Sequence, residues 1–154
     1  MKTNVMRILD QHKIAYKVHD YSKSGAISGL DVVAVLNQSA AKVFKTLVTV
    51  SKSGNHYVFV IPVNKELDLK KAAKAVNEKA ITMIKSKDLQ LLTGYVHGGC
   101  SPLGMKKSFS TVIDESVNKL ETFCFNGGKI GYQVELNITD LRKALNFSVA
   151  DIAL

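Results

Sequence analysis

At 154 residues, 46% hydrophobic and 22% charged, the chain has the length and composition of one core-forming domain and is neither disordered nor fibrous in makeup. Its longest apolar run, from Tyr57 to Val63, is far short of the roughly 20 residues that cross a bilayer, and its first residues lack the unbroken hydrophobic stretch of a signal peptide, so a cytoplasmic protein without a membrane partner is expected. A net charge of +8 favours an acidic partner, nucleic acid first, although the same charge also serves simple solubility.

Val5, Ile8 and Leu9 recur at helical spacing behind Thr3, which predicts an amphipathic first helix over 3–12. A short strand is expected from Ala15 to His19. Ser28, three residues before Asp31, forms a variant capping box for a second helix that runs to Leu36. Val43 to Val50 and His56 to Val63 are β-rich and flank the turn residues Ser51-Lys-Ser-Gly-Asn55, which predicts a hairpin. The second strand is apolar on both faces, as a central strand should be, and Pro62 limits pairing at its end. Asp68 caps a third helix with Leu69, Ala72, Ala73 and Val76 inward and Lys70, Lys71 and Lys74 outward. A helix from Ser86 to Leu92 precedes an aperiodic glycine-rich segment, Gly94 to Gly104. Strands are expected at Thr111–Asp114, Glu121–Phe125 and Tyr132–Leu136, with Gly127-Gly128 as a turn and a closing helical segment from Thr139. No linker or repeat divides the chain. The class is therefore α/β or α+β in a single domain over 1–154, with mostly antiparallel strands interrupted by helices.

The two cysteines, Cys100 and Cys124, have no partners at zinc-ligand spacing, so neither a metal nor a cofactor is expected. Cys100 lies near His97 and Ser101, but no GxSxG or HExxH motif accompanies it, and a lone cysteine is more often a small buried hydrophobe than a nucleophile. His12, His19 and His56 fall on separate elements and are assigned no role. Period two places Lys45 on a largely apolar strand face with Val43 and Leu47. Such a lysine either guards an edge strand or points into a cleft where partial desolvation strengthens its attraction for a carbonyl or phosphate. In Gly94-Tyr-Val-His-Gly-Gly-Cys-Ser-Pro-Leu-Gly104, Gly98 and Gly99 permit close approach of backbone amides to a ligand oxygen, and an ordinary tight turn would use the same residues. The lysines after Asp68, with Lys79, Lys85, Lys87, Lys106 and Lys107, are either phosphate contacts or solvated faces.

Three segments together resemble the YbaK/EbsC family, the cysteinyl-tRNA deacylases related to the editing domain inserted in bacterial prolyl-tRNA synthetases. They are Val43-Phe-Lys-Thr-Leu47, Thr93 to Lys107, and Phe125-Asn-Gly-Gly-Lys-Ile-Gly-Tyr-Gln-Val-Glu-Leu136, and their order and spacing also fit. The resemblance implies a strongly curved mixed sheet flanked by helices and a pocket in which Lys45 faces the glycine-rich loop. It implies that Lys45 binds near the aminoacyl ester, that the Gly98 and Gly99 amides hold the carbonyl, and that Tyr21 borders the pocket. Thr46, Ser101 and Asn126 are further substrate-binding candidates. Asn126 stands where many relatives have Ser, and Ile130 replaces a frequent Arg, a loss of charge that bears on RNA contact. The implied substrate is mischarged Cys-tRNA(Pro), or Cys-tRNA(Cys), with prolyl-tRNA synthetase as a possible carrier and the substrate's own thiol as nucleophile. Two alternatives stay open. One is an Ala-tRNA(Pro) deacylase that uses water, and the other is a non-catalytic module that holds RNA or a synthetase.

Overall fold

In the computed structural model, which describes residues 1–154, helix α1 (Asn4–Gln11) opens on Thr3, whose side chain accepts from the Met6 N–H, and it buries Val5, Met6 and Leu9. Strand β1 (Lys17–Asp20) follows, then helix α2 (Gly29–Leu36), capped by Ser28 and ended by Asn37 in the left-handed conformation. The predicted hairpin forms as β2 (Phe44–Ser51) and β3 (His56–Pro62). Helix α3 (Leu69–Ala75) is capped by Asp68, which accepts from the Lys70 and Lys71 N–H groups. Beyond it come β4 (Ile81–Met83), α4 (Leu89–Thr93), β5 (Ser110–Asp114), β6 (Phe123–Asn126), β7 (Tyr132–Leu136), α5 (Ile138–Leu141) and β8 (Ser148–Ala150).

The strands make two sheets, ordered β1-β7-β6 and β4-β2-β3-β5-β8, joined at an isolated bridge between Val43 and Cys124. Four of the pairings are antiparallel, whereas β3–β5 and β5–β8 are parallel. Parallel neighbours need a long crossover, here the whole segment that carries α3, β4 and α4 between β3 and β5.

Both faces of the five-stranded sheet are covered, which is why β3 reads as apolar throughout. On one face Val58 and Val60 join Phe44, Val48, Phe123, Phe125 and the α1 residues in the main core, and Phe44 meets Phe123 edge to face at 5.3 Å. On the other face Phe59 and Ile61 pack with Ala72 and Ala73 of α3, Ile81 and Ile152. The C-terminal segment is pinned by Asp114, a buried carboxylate that accepts from the Ile152 and Ala153 N–H groups.

Candidate active site

A cleft of about 540 Å³ opens along the edge of β2 that β3 does not cover. The Val63 N–H donates to the Val43 carbonyl at 2.8 Å, which fixes the phase of the β2–β3 ladder. By the antiparallel alternation, Lys45 and Leu47 turn their backbone groups toward β3, and Phe44, Thr46 and Val48 turn theirs the other way. There β4 reaches only Thr49 to Ser51, with one further bond from the Ile84 N–H to the Val48 carbonyl, and β6 reaches only Val43. The stretch around Thr46 is thus an open edge, a row of backbone donors and acceptors without a neighbouring strand. The Thr46 hydroxyl is also buried without any hydrogen-bond partner.

Lys45 lines this cleft and is partly buried. Burial lowers the pKa of its ammonium below the usual lysine value, and the charge of Glu66 acts the other way. Opposite the strand edge stands the glycine-rich loop, which contributes His97, Gly98 and Cys100 to the lining. Gly98 has φ +84°, and a Cβ there would lie 2.6 Å from Ile27 Cγ2, so only glycine fits beneath the segment that leads into α2. The Gly98 N–H has no protein partner. Its carbonyl accepts from Asn126 Nδ2 at 2.8 Å, and Asn126 Oδ1 accepts from the Gly128 and Lys129 N–H groups. Tyr21, buried and with its phenol pKa raised by that burial, completes this side and lies 3.5 Å from Asn126 Nδ2.

The cleft therefore unites Lys45, Thr46, Tyr21, Gly98 and Asn126. Gly99 and Ser101 do not line it: the Gly99 N–H closes a turn on the Val96 carbonyl, and the fully buried Ser101 hydroxyl accepts from the Leu103 N–H. Cys100 does line it, but burial drives its thiol pKa up to about 12, with only the nearby Thr93 hydroxyl acting the other way, so the sulfur is a neutral thiol at neutral pH. Sequence reasoning passed over Ile27 and Gln133. Gln133 is a buried β7 residue that reaches the cleft, tied to Gln38 by reciprocal amide bonds of 2.6 and 3.2 Å. Strand alternation groups it with Glu135 on the face opposite Val134 and Leu136, which is why its place at the cleft was not legible from the pattern.

The potential ligand atoms of His19, Cys124 and Glu135 also lie within 4.8 Å of one another. The carboxylate there is already engaged by Lys42 Nζ at 2.7 Å, His19 Nε2 at 2.7 Å and the Thr122 hydroxyl at 2.6 Å, a network that ties β1 and β7 to the residues leading into β2 and β6.

The aminoacyl-tRNA editing domain family matches residues 28–144. Across 152 residues, 98% of this chain and 93% of the relative, the sequence is 42% identical to EbsC of Enterococcus faecalis, whose proposed activity is Cys-tRNA(Pro)/Cys-tRNA(Cys) deacylation. Among solved structures, a hypothetical protein superposes with a TM-score of 0.90 at 21% identity, covering 99% of this chain and 100% of its own. A proposed trans-editing enzyme for prolyl tRNA synthetase superposes with a TM-score of 0.84 at 21% identity, covering 100% and 99%. At that identity both likenesses speak to the fold.

Proposed function

The chain belongs to the aminoacyl-tRNA editing domain family, and from that premise we propose that it is a trans-editing deacylase that removes cysteine from mischarged Cys-tRNA(Pro). The observation that carries this reading is the pairing, across one cleft, of a partly desolvated lysine with an unpartnered backbone N–H and no activated protein nucleophile. Such a site binds and polarises a carbonyl; it does not attack one.

Editing is needed because a synthetase pocket that admits proline cannot fully reject an amino acid of similar or smaller size. In the proposed reaction the substrate's own thiol sulfur attacks the ester carbonyl. A C–S bond forms, the C–O bond to the terminal ribose breaks, and the thiol proton ends on the ribose oxygen, releasing a thiolactone and free tRNA. Proximity alone favours such an attack by several kcal/mol, so the protein's tasks are to orient the ester and to stabilise the developing oxyanion. Lys45 and the Gly98 N–H serve the oxyanion, and Thr46 at the open strand edge orients the aminoacyl group. The protein acts in the cytoplasm, on substrate delivered free or with prolyl-tRNA synthetase.

The test is deacylation of cysteinyl-, alanyl- and prolyl-tRNA(Pro), with and without prolyl-tRNA synthetase. Turnover of the cysteinyl substrate alone is expected. Equal turnover of the alanyl substrate would replace the thiol mechanism with a water mechanism, and RNA binding without any turnover would leave a non-catalytic module.

A further inference from the structure

The cleft contains a cation and no anion. Among its lining residues the titratable ones are Lys45 on β2, His97 and Cys100 on the glycine-rich loop, and Tyr21 before α2; none is Asp or Glu. Two carboxylates stand nearby. Glu66, exposed and outside the lining, acts on Lys45 through its charge. Glu135 stands on the same face of β7 as Gln133, opposite Val134 and Leu136, but is taken by Lys42, His19 and Thr122. At the position where β7 does reach the cleft, the polar group is the neutral amide of Gln133, paired with that of Gln38. The remaining acceptors toward the cleft are dipoles, above all the carbonyls on the open edge of β2.

An aminoacyl ester carries its α-nitrogen two bonds from the carbonyl carbon. If Lys45 holds that carbonyl, the nitrogen lies within roughly 6 Å of the lysine charge, where like charges in a partly desolvated site repel appreciably. An α-ammonium would therefore enter beside a fixed cation with no carboxylate in the cleft lining to receive it. A neutral amine or an amide N–H suits the strand-edge carbonyls, which accept a hydrogen bond but carry no compensating charge. We infer that this cleft takes the aminoacyl ester with its α-nitrogen uncharged, so that N-acylated cysteinyl esters form a second substrate class alongside the free amine. The inference rests on the ester-binding reading above. The chemistry is unchanged for the acylated substrate: its thiol forms the C–S bond, the ester C–O bond breaks, the proton passes to the ribose oxygen, and an N-acyl thiolactone leaves.

The probes are 3′-cysteinylamido-3′-deoxyadenosine, which cannot be deacylated, and its N-acetyl derivative. Calorimetric titration of each between about pH 6 and about pH 8 spans the range in which an α-amino group loses its proton. The free amine is expected to bind about tenfold more tightly at the upper pH, and the N-acetyl probe to bind as tightly as that at both. Gln133→Glu, which places a carboxylate at the cleft, is expected to strengthen low-pH binding of the free amine about tenfold and leave the N-acetyl probe unimproved. Free-amine binding that is equal or tighter at low pH in the wild type, or N-acetyl binding weakened tenfold or more, would overturn the inference while leaving ester binding intact. If neither probe binds at any pH, the ester-binding reading fails and takes this inference with it.

Discussion

The Asn126 side chain donates to the Gly98 carbonyl at 2.8 Å while its own oxygen accepts from Gly128 and Lys129 at 2.7 and 3.1 Å, so one amide locks two loops together at the cleft. With Tyr21 Oη near its second N–H, the hydrogen-bonding capacity of that amide is used within the protein. We therefore propose Asn126 as a positioning residue that sets the orientation of the Gly98 peptide. Asn126→Ala should lower kcat for deacylation roughly tenfold, the equivalent of one or two lost hydrogen bonds at the site, with a smaller change in KM. Steady-state kinetics check this, and an unchanged kcat with raised KM would return Asn126 to a substrate-binding role.

Lys45→Ala should abolish deacylation, a loss of about a hundredfold or more if the lysine supplies transition-state charge stabilisation. Cys100→Ala should retain most activity, because a thiol held near pKa 12 by burial offers almost no thiolate at neutral pH. Single-turnover rates on cysteinyl-tRNA(Pro) separate the two variants. A fully active lysine variant, or an inactive cysteine variant that still folds, would sink the substrate-thiol mechanism.

Burial pushes the Glu135 pKa up, but hydrogen bonds from Lys42, Thr122 and His19 outweigh it and hold the carboxyl at about 2, below its ordinary 4.5. A depressed carboxylate pKa means the unfolded chain binds the proton more readily, so the stabilisation is complete above about pH 4.5 and drains away as pH falls toward 2. The effect is about 2–3 kcal/mol at neutral pH. Denaturant melts should therefore show wild-type stability falling across that acid window, and Glu135→Gln should be less stable at neutral pH with a shallower acid slope. Parallel slopes for the two proteins would show that the network does not couple to folding.

How much of this was legible follows from the range of each signal. The caps at Thr3, Ser28 and Asp68 and the β2–β3 hairpin were read correctly because side chains three residues apart, or strands joined by one short turn, announce themselves locally. Strands β4 and β8 were missed because three residues are too few to display a period, and both exist only through neighbours remote in sequence. The parallel β3–β5 pairing was hidden for the same reason, since no turn signals it. At the site, the motif led to Lys45 and Gly98 but could not separate Gly98, whose N–H is free, from Gly99, whose N–H closes a turn. Nor could it show that Ser101 is buried against Leu103.

Gly98→Ala combines a left-handed backbone with a contact of 2.6 Å to Ile27. The strain and the displaced side chain should cost about 1–3 kcal/mol of stability. Because Ile27 also lines the cleft, activity should fall by more than the folded fraction does. Comparing thermal melts with deacylation rates per folded molecule tests this; a stable variant with wild-type turnover would show that the loop accommodates a side chain there.

Thr46 offers the sharpest separation of stability from function. Its hydroxyl is buried beside the cleft without a partner, so the free protein already bears the cost of desolvating it. Thr46→Val keeps the branched shape that suits a strand and removes the orphaned group, and it should leave stability unchanged or raise it by up to about 1 kcal/mol. If the hydroxyl finds its partner in the aminoacyl group, the same change should weaken deacylation roughly tenfold, a substitution that stabilises the fold while damaging the site. Melting curves and kinetics on one preparation decide it. A stabilised variant with full activity would assign the hydroxyl to a buried water, and a strongly destabilised one would reveal a structural hydrogen bond.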